Sequence, residues 1–226
     1  MTTKNTTWAQ DAIFYHIYPL GFCGAPEQNN FDAPPVSRIR KIEDWIDHFK
    51  SLGINALYLG PVWASTTHGY DTVDYFWTDR RLGTNEDLEE VITTLRANGI
   101  RVVLDGVFNH VGRDFWAFRD LQKNGPDSPY KDWFVNINFE QSSPHGDKFC
   151  YEGWEGCMDL VKLNLNNPEV REHLFQAVEM WIDKFGIDGL RLDVAYSLER
   201  HFLDELSHRC RNKAEDFLLL GEIIHG

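Results

Sequence analysis

The sequence predicts an α/β fold, a parallel sheet whose strands are joined by helical crossovers. Two observations predict it. Apolar segments of strand length alternate strictly with segments of helical period, a spacing that favours parallel neighbours because antiparallel ones need only a hairpin. The strand segments are apolar throughout rather than every second residue, as in a sheet covered on both faces.

Ala12 to Pro19 is rich in aromatic and β-branched residues and predicts the first strand. Ile42, Trp45, Ile46 and Phe49 share one helical face, and that helix stops at Gly53. Ile54 to Leu59 is a continuous apolar strand closed by Gly60-Pro61. Leu88, Val91, Ile92 and Leu95 repeat the helical spacing, with Glu86 and Asp87 in the first turn and Gly99 as the stop. Ile100 to Leu104 is a strand that runs straight into Asp105-Gly-Val-Phe-Asn-His110. From Val111 to about Asn166 the rhythm breaks. Aromatics crowd between Phe115 and Trp133, Gly and Pro recur, and no long period is visible. The stretch far exceeds an ordinary βα connection of about 2–6 residues and predicts a small inserted subdomain, which divides the chain into 1–110, 111–166 and 167–226. Pro168 opens a helix with Val170, Leu174, Ala177, Val178, Trp181, Ile182 and Phe185 on one face. Ile187 to Leu192 is a strand leading to Asp193, a helix runs from about Glu199 to Asn212, and Phe217 to Leu220 is the last strand. The sum is five strands and four helices.

Composition excludes several partners. The 226 residues carry 22 basic and 35 acidic side chains, a net charge of −13, and no Lys/Arg run is longer than two. Nucleic acid and anionic membranes both require a basic patch. No apolar stretch approaches the ~18 residues of a membrane span. Met1–Thr7 is polar and lacks the apolar centre of a secretory signal. Cys23, Cys150, Cys157 and Cys210 are scattered without a C-x-x-C pair and read as free thiols in a reducing compartment, with Cys150–Cys157 the one pair spaced to bridge a loop. A cytoplasmic protein is expected.

Polar residues collect where the strands end. In parallel α/β folds the strand C-termini share one side, and sites form there. Asp105 with Asn109 and His110, Arg191 with Asp193, and Glu222 with His225 follow three strands, and His68-Gly69-Tyr70-Asp71 follows the second. One such Asp is commonly a helix cap, but four clusters at successive strand ends point to a site. Asp193 and Glu222 lie one helix-plus-strand unit apart, hence on neighbouring strands about 4.7–4.9 Å from each other. Their carboxyls can then approach the ~5–5.5 Å of a retaining glycosidase, too close for the water of an inverting one. Metal binding is the competing reading of clustered Asp, Asn, His and Glu. Arg191 beside Asp193 instead suits a carboxylate that stays ionised and unligated.

Four stretches resemble the α-amylase family of glycoside hydrolases: Asp105 to His110, Gly189-Leu-Arg-Leu-Asp-Val194, Gly221-Glu-Ile-Ile-His225 and Gly69-Tyr-Asp-Thr-Val-Asp-Tyr75. Their order matches the third, fourth and fifth strands of the family barrel and the loop after the second. A fifth stretch, Leu160-Val-Lys-Leu-Asn164, is similar to the motif closing the family's inserted B domain, and its Lys-Leu-Asn form leans toward the neopullulanase and cyclomaltodextrinase subgroup. The resemblance implies a partial TIM (β/α)8 barrel of about five βα units with a B subdomain after the third strand.

It also implies roles. Asp193 is the nucleophile and Glu222 the general acid, then base, which requires its pKa to be raised by burial and by the neighbouring carboxylate. Arg191 holds Asp193 ionised, His110 contacts the sugar under attack, Tyr70 stacks beneath it, and Asp105 supports the site. Asp71 belongs to the same substrate-binding set. Trp116 and Trp133 are the aromatics of the insertion singled out for sugar contact. No cofactor is required. Asn109 matches a position that ligates calcium in some members, which leaves calcium open. The substrate implied is an α-glucan or oligosaccharide with α-1,4 or α-1,6 links.

The family barrel has eight strands and this chain supplies five. The family's third carboxylate, in an Asn-His-Asp motif after the seventh strand, is absent from the sequence. The expectation is the N-terminal part of a longer enzyme, or a natural partial barrel that binds glucan without cleaving it. A transglycosylase or isomerase of the same family remains a rival. Little turnover is expected from the 226 residues alone, and association through open sheet edges or with a missing C-terminal half is expected.

Overall fold

The computed structural model describes residues 8–224. The polar segment 1–7 and His225, which the sequence pairs with Glu222, lie outside the described residues. Strands β1 (Phe14–Ile17) and β2 (Ala56–Leu59) are linked by a single turn, α1 (Pro19–Phe22), a 3-10 helix over Arg38–Trp45, and α2 (Ile46–Ser51). The helix expected over Ile42–Gly53 is thus a tighter 3-10 run that relaxes into α-helix only at Ile46. Both parts bury one face, with Ile39, Ile42 and Phe49 fully covered. After β2 comes an antiparallel pair that the sequence did not signal, β3 (Trp63–Ser65) and β4 (Thr72–Thr78). Its strands are short and mix polar with apolar residues, so they do not resemble the core strands.

Helix α3 (Asn85–Ala97) opens with a capping box in which Thr84 and Asp87 satisfy each other's backbone amides, and it ends before Gly99, whose φ of +78° only glycine adopts freely. It leads to β5 (Arg101–Gly106). The strand runs two residues past the apolar segment and takes in Asp105, because Arg191 stands directly opposite it in the register. Next come β6 (His110–Gly112), α4 (Trp116–Asn124), β7 (Gly153–Trp154) and β8 (Cys157–Lys162), and the three strands form an antiparallel sheet in the order β6-β8-β7. Helix α4 presents only Ala117, Phe118 and Leu121 to the interior, too few turns to read as a period. Gly112 is needed at its position, since a Cβ there would meet the Asp71 carbonyl oxygen at 2.5 Å.

Helix α5 (Pro168–Met180) starts with Pro168 in its first turn and the Asn167 side chain accepting from the Glu169 amide at 2.8 Å. It widens into a π-turn over Trp181–Phe185 and stops at Gly186, φ +65°. There Trp181 stacks on Trp63 with ring centroids 4.4 Å apart and donates to the Tyr75 carbonyl at 2.8 Å, a fully buried junction. The chain closes with β9 (Gly189–Leu192), α6 (Arg200–Lys213) and β10 (Leu218–Gly221). Strands β1-β2-β5-β9-β10 form one sheet in that order, all parallel. All four cysteines are free, with Cys23 and Cys210 buried. Among the described residues no helix is long and apolar enough to cross a membrane.

Candidate active site

The parallel register decides what meets at the strand ends. Asp105 faces Arg191, and Gly221 faces Leu192, so Asp193 and Glu222 emerge side by side from adjacent strands. The Arg191 guanidinium gathers all three carboxylates. Its Nη1 lies 2.9 and 3.1 Å from the two oxygens of Asp105 and 2.8 Å from Asp193 Oδ1, and Nη2 lies 2.7 Å from Glu222 Oε2. Beneath them, Tyr58 on β2 donates to Asp105 Oδ2 at 2.6 Å, and its ring stacks on His16 of β1 at 4.3 Å. Four of the five parallel strands therefore hold this one charge cluster.

One cation is shared by three carboxylates, two of them buried. Burial pushes Asp193 up to about 7, the nearby Asp105 charge adds to this, and Arg191 opposes it only in part. Arg191 favours the ionised form of Asp193, while burial and Asp105 oppose it. Burial likewise raises Asp105 despite Arg191 and Tyr58. Burial works against the Arg191 charge, yet Asp105 and its neighbours hold it above its usual value. The burial expected around Glu222 is not found, for its side chain is 30% exposed. Its second partner is the Val194 amide, which donates to Oε2 at 2.8 Å. Val194 reaches that position with φ +41°, a left-handed conformation that costs a β-branched residue about 1–3 kcal/mol. Backbone strain is thus stored next to Asp193 to aim an N–H at Glu222.

His110, on β6, is 1% exposed, and its Nε2 lies 3.9 Å from Asp193 Oδ2 with no hydrogen-bond partner. Burial first, then His68, lowers its pKa to about 4, so the ring is neutral at pH 7. The Asn109 side-chain amide lies 3.2 Å from Nδ1, and Nε2 is a buried polar atom left facing the cleft. A cleft of about 330 Å³ opens over these groups, walled by Tyr70, His110, Trp154, Asp193, Glu222 and Ile224. It falls at the small end of the ~300–1,000 Å³ range of ligand pockets.

Asp71 is not in this cleft. Its Oδ2 accepts from the Thr67 amide and hydroxyl, both at 2.7 Å, and its Oδ1 from the Gly69 amide at 3.1 Å. Asp71 braces the loop that carries Tyr70. Asn109 is buried beside His110, and among the described residues no group of three or more His, Cys, Asp or Glu side chains is placed to hold a metal. Trp116 and Trp133 pack on each other at 5.3 Å and on His173 of α5, and the Trp133 indole donates to Glu169 at 3.1 Å. They seat the segment on α5 rather than face the cleft. Trp154 is the aromatic that does so, 5.7 Å from the His110 ring, with a buried indole N–H lacking a partner. Its only signal in the sequence is a large aromatic between Gly153 and Gly156.

Parallel strands that deliver charged residues from their C-termini into one cleft define a barrel-type α/β protein. Its relatives agree. The profile described as alpha amylase, catalytic domain, matches residues 17–226. A cyclomaltodextrinase of Bacillus sp is 37% identical over 96% of this chain and 41% of its own length, and the intracellular maltogenic amylase of Bacillus subtilis strain 168 is 33% identical over 99% and 40%. The solved cyclic α-maltosyl-(1→6)-maltose hydrolase of Arthrobacter globiformis superposes with a TM-score of 0.83 at 37% identity, over 96% of this chain and 52% of that one. The chain belongs to the α-amylase catalytic-domain family, and it spans about two-fifths of the length of these curated relatives.

Proposed function

We propose that this chain carries the nucleophile and the acid/base of a retaining glycoside hydrolase acting on α-1,4 or α-1,6 bonds of α-glucans or oligosaccharides. The observation that carries the reading is the pair Asp193 and Glu222, brought from adjacent parallel strands onto one guanidinium at the wall of a cleft. Glu222 gives its proton to the glycosidic oxygen as Asp193 Oδ attacks the anomeric carbon and forms a glycosyl ester. Water then enters, Glu222 takes its proton, and the ester opens with Asp193 released. The unpartnered His110 Nε2 suits a sugar hydroxyl, and Tyr70 and Trp154 offer apolar faces to the ring. Asp105 and Tyr58 act from below by fixing Arg191.

Three further parts complete the reading. Residues 111–166 correspond to the inserted B subdomain. The cytoplasm is the compartment, in line with the relative named as intracellular. The chain on its own, without the third carboxylate, turns over unactivated glucan poorly.

An α-maltosyl fluoride tests the pair, because fluoride leaves without a proton donor. The expected outcome is slow fluoride release above background with the α-anomer as first product by NMR. Asp193→Asn abolishes it, and Glu222→Gln keeps the first glycosyl transfer but stalls at the ester. Release that survives Asp193→Asn, or a β-anomer formed first, overturns the reading.

A further inference from the structure

A second cavity of about 340 Å³ lies between the β3–β4 pair and the start of α3, and it shares no lining residue with the cleft. Trp77 stands at it 64% exposed, the most open of the large apolar side chains, and Phe31 is exposed beside it. The polar atoms around them are mostly acceptors. The carboxylates of Asp74 and Glu86 line the cavity; Asp74 Oδ1 accepts from the Phe76 amide at 2.7 Å, and Glu86 pairs with Lys184 at 3.3 Å. Asn29 donates through Nδ2 to the Ser65 carbonyl at 2.8 Å, and its Oδ1 is buried without a partner. The one cation, Arg80, is occupied by the carbonyls of Phe31 and Ala33.

An acceptor-rich cavity with an open indole face selects its ligand by chemistry. The Asp74 carboxylate disfavours an anion, as does the net charge of −13. A peptide brings carbonyl acceptors in equal number to its donors and would leave the Asn29 oxygen and the Asp74 carboxylate underused. A neutral polyol brings hydroxyl donors together with a C–H face that packs on an aromatic ring. We propose that this cavity is a second, non-catalytic binding site for a neutral oligosaccharide, with Trp77 as its platform. That the sugar is an α-glucan rests on the function proposed above.

Isothermal titration of the purified chain with maltoheptaose tests it, alongside Trp77→Ala, Trp77→Tyr and Trp154→Ala. The expected result is two sites in the parent protein. Trp77→Ala weakens one of them by about three- to tenfold or more, Trp77→Tyr retains it, and Trp154→Ala affects only the other. Loss in Trp77→Ala with none in Trp154→Ala supports the second site while counting against the cleft. A Trp77→Ala isotherm identical to that of the parent overturns the proposal, whether or not Trp154→Ala abolishes binding, as does the absence of any binding by the parent. Trp77 is exposed and makes no core contact, so a variant that binds less while melting at the parental temperature has lost a ligand contact and not its fold.

Discussion

Arg191 and Asp105 are direct register partners on adjacent parallel strands, and they form an ion pair at 2.9 Å in which the carboxylate has no solvent exposure. A pair this buried is coupled to the stability of the sheet as well as to the site. Removing only the cation leaves Asp105 with the hydroxyls of Tyr58 and Tyr70 and strips Asp193 of its guanidinium. We expect Arg191→Met to lose about 3–5 kcal/mol in urea unfolding at pH 7. The loss should shrink at pH 5, where the stranded carboxyls take up protons, and in the double variant Arg191→Met/Asp105→Asn, which removes one of the buried charges. A double variant less stable than the single one would show that the pair is not coupled as described.

Asp193 makes the parent protein less stable as pH rises. The folded state holds this proton up to about pH 7, and the unfolded chain releases it near 3.8. Between those values the folded state carries more protons, so stability falls with increasing pH across that window. Asp193→Asn has no charge to bury and leaves Arg191 paired with Asp105 and Glu222. It should therefore melt higher than the parent at pH 8, by the equivalent of roughly 2–4 kcal/mol, and the difference should vanish below about pH 4. Fluoride release by the parent should run the opposite way, rising through pH 7 as the nucleophile ionises. Melting curves that remain parallel from pH 4 to 8 would remove the physical basis for both expectations.

What was legible in the sequence was what repeats or what carries charge. The five core strands and the helices α3, α5 and α6 announce themselves through long apolar periods and through punctuation such as Pro168 and Gly99. Asp105, His110, Arg191, Asp193 and Glu222 could be placed on one rim because parallel strands leave no choice about where their C-termini lie. Partners across long sequence separations were not legible. Asp71 carries the same charge as Asp193, and nothing in the sequence says that it turns back on Thr67 and Gly69. Trp116 and Trp133 stand out by their size, but His173 and Glu169, distant in sequence, claim them. Arg191 is the neighbour of Asp193 in sequence, whereas burial and Asp105, which push its pKa up, come from the fold and were not legible.

The two edge strands carry the remaining prediction. Among the described residues β1 and β10 each have a single neighbour in the parallel sheet, and their unpaired backbone groups lie beside exposed apolar side chains. Ile13 is 53% and Phe14 37% exposed at one edge, and Leu220 is 44%, Ile223 60% and Ile224 58% exposed at the other. An open edge with exposed apolar residues pairs readily with another strand, and charged side chains are the usual defence against it. Neither edge has one at these positions. The chain alone should therefore associate, with a weight-average mass in sedimentation equilibrium that climbs across the micromolar range. Leu220→Lys combined with Ile223→Lys should bring that mass back toward the monomer without lowering the melting temperature, because both residues face solvent. A parent chain that stays monomeric over the whole range would mean that both edges are protected in some other way.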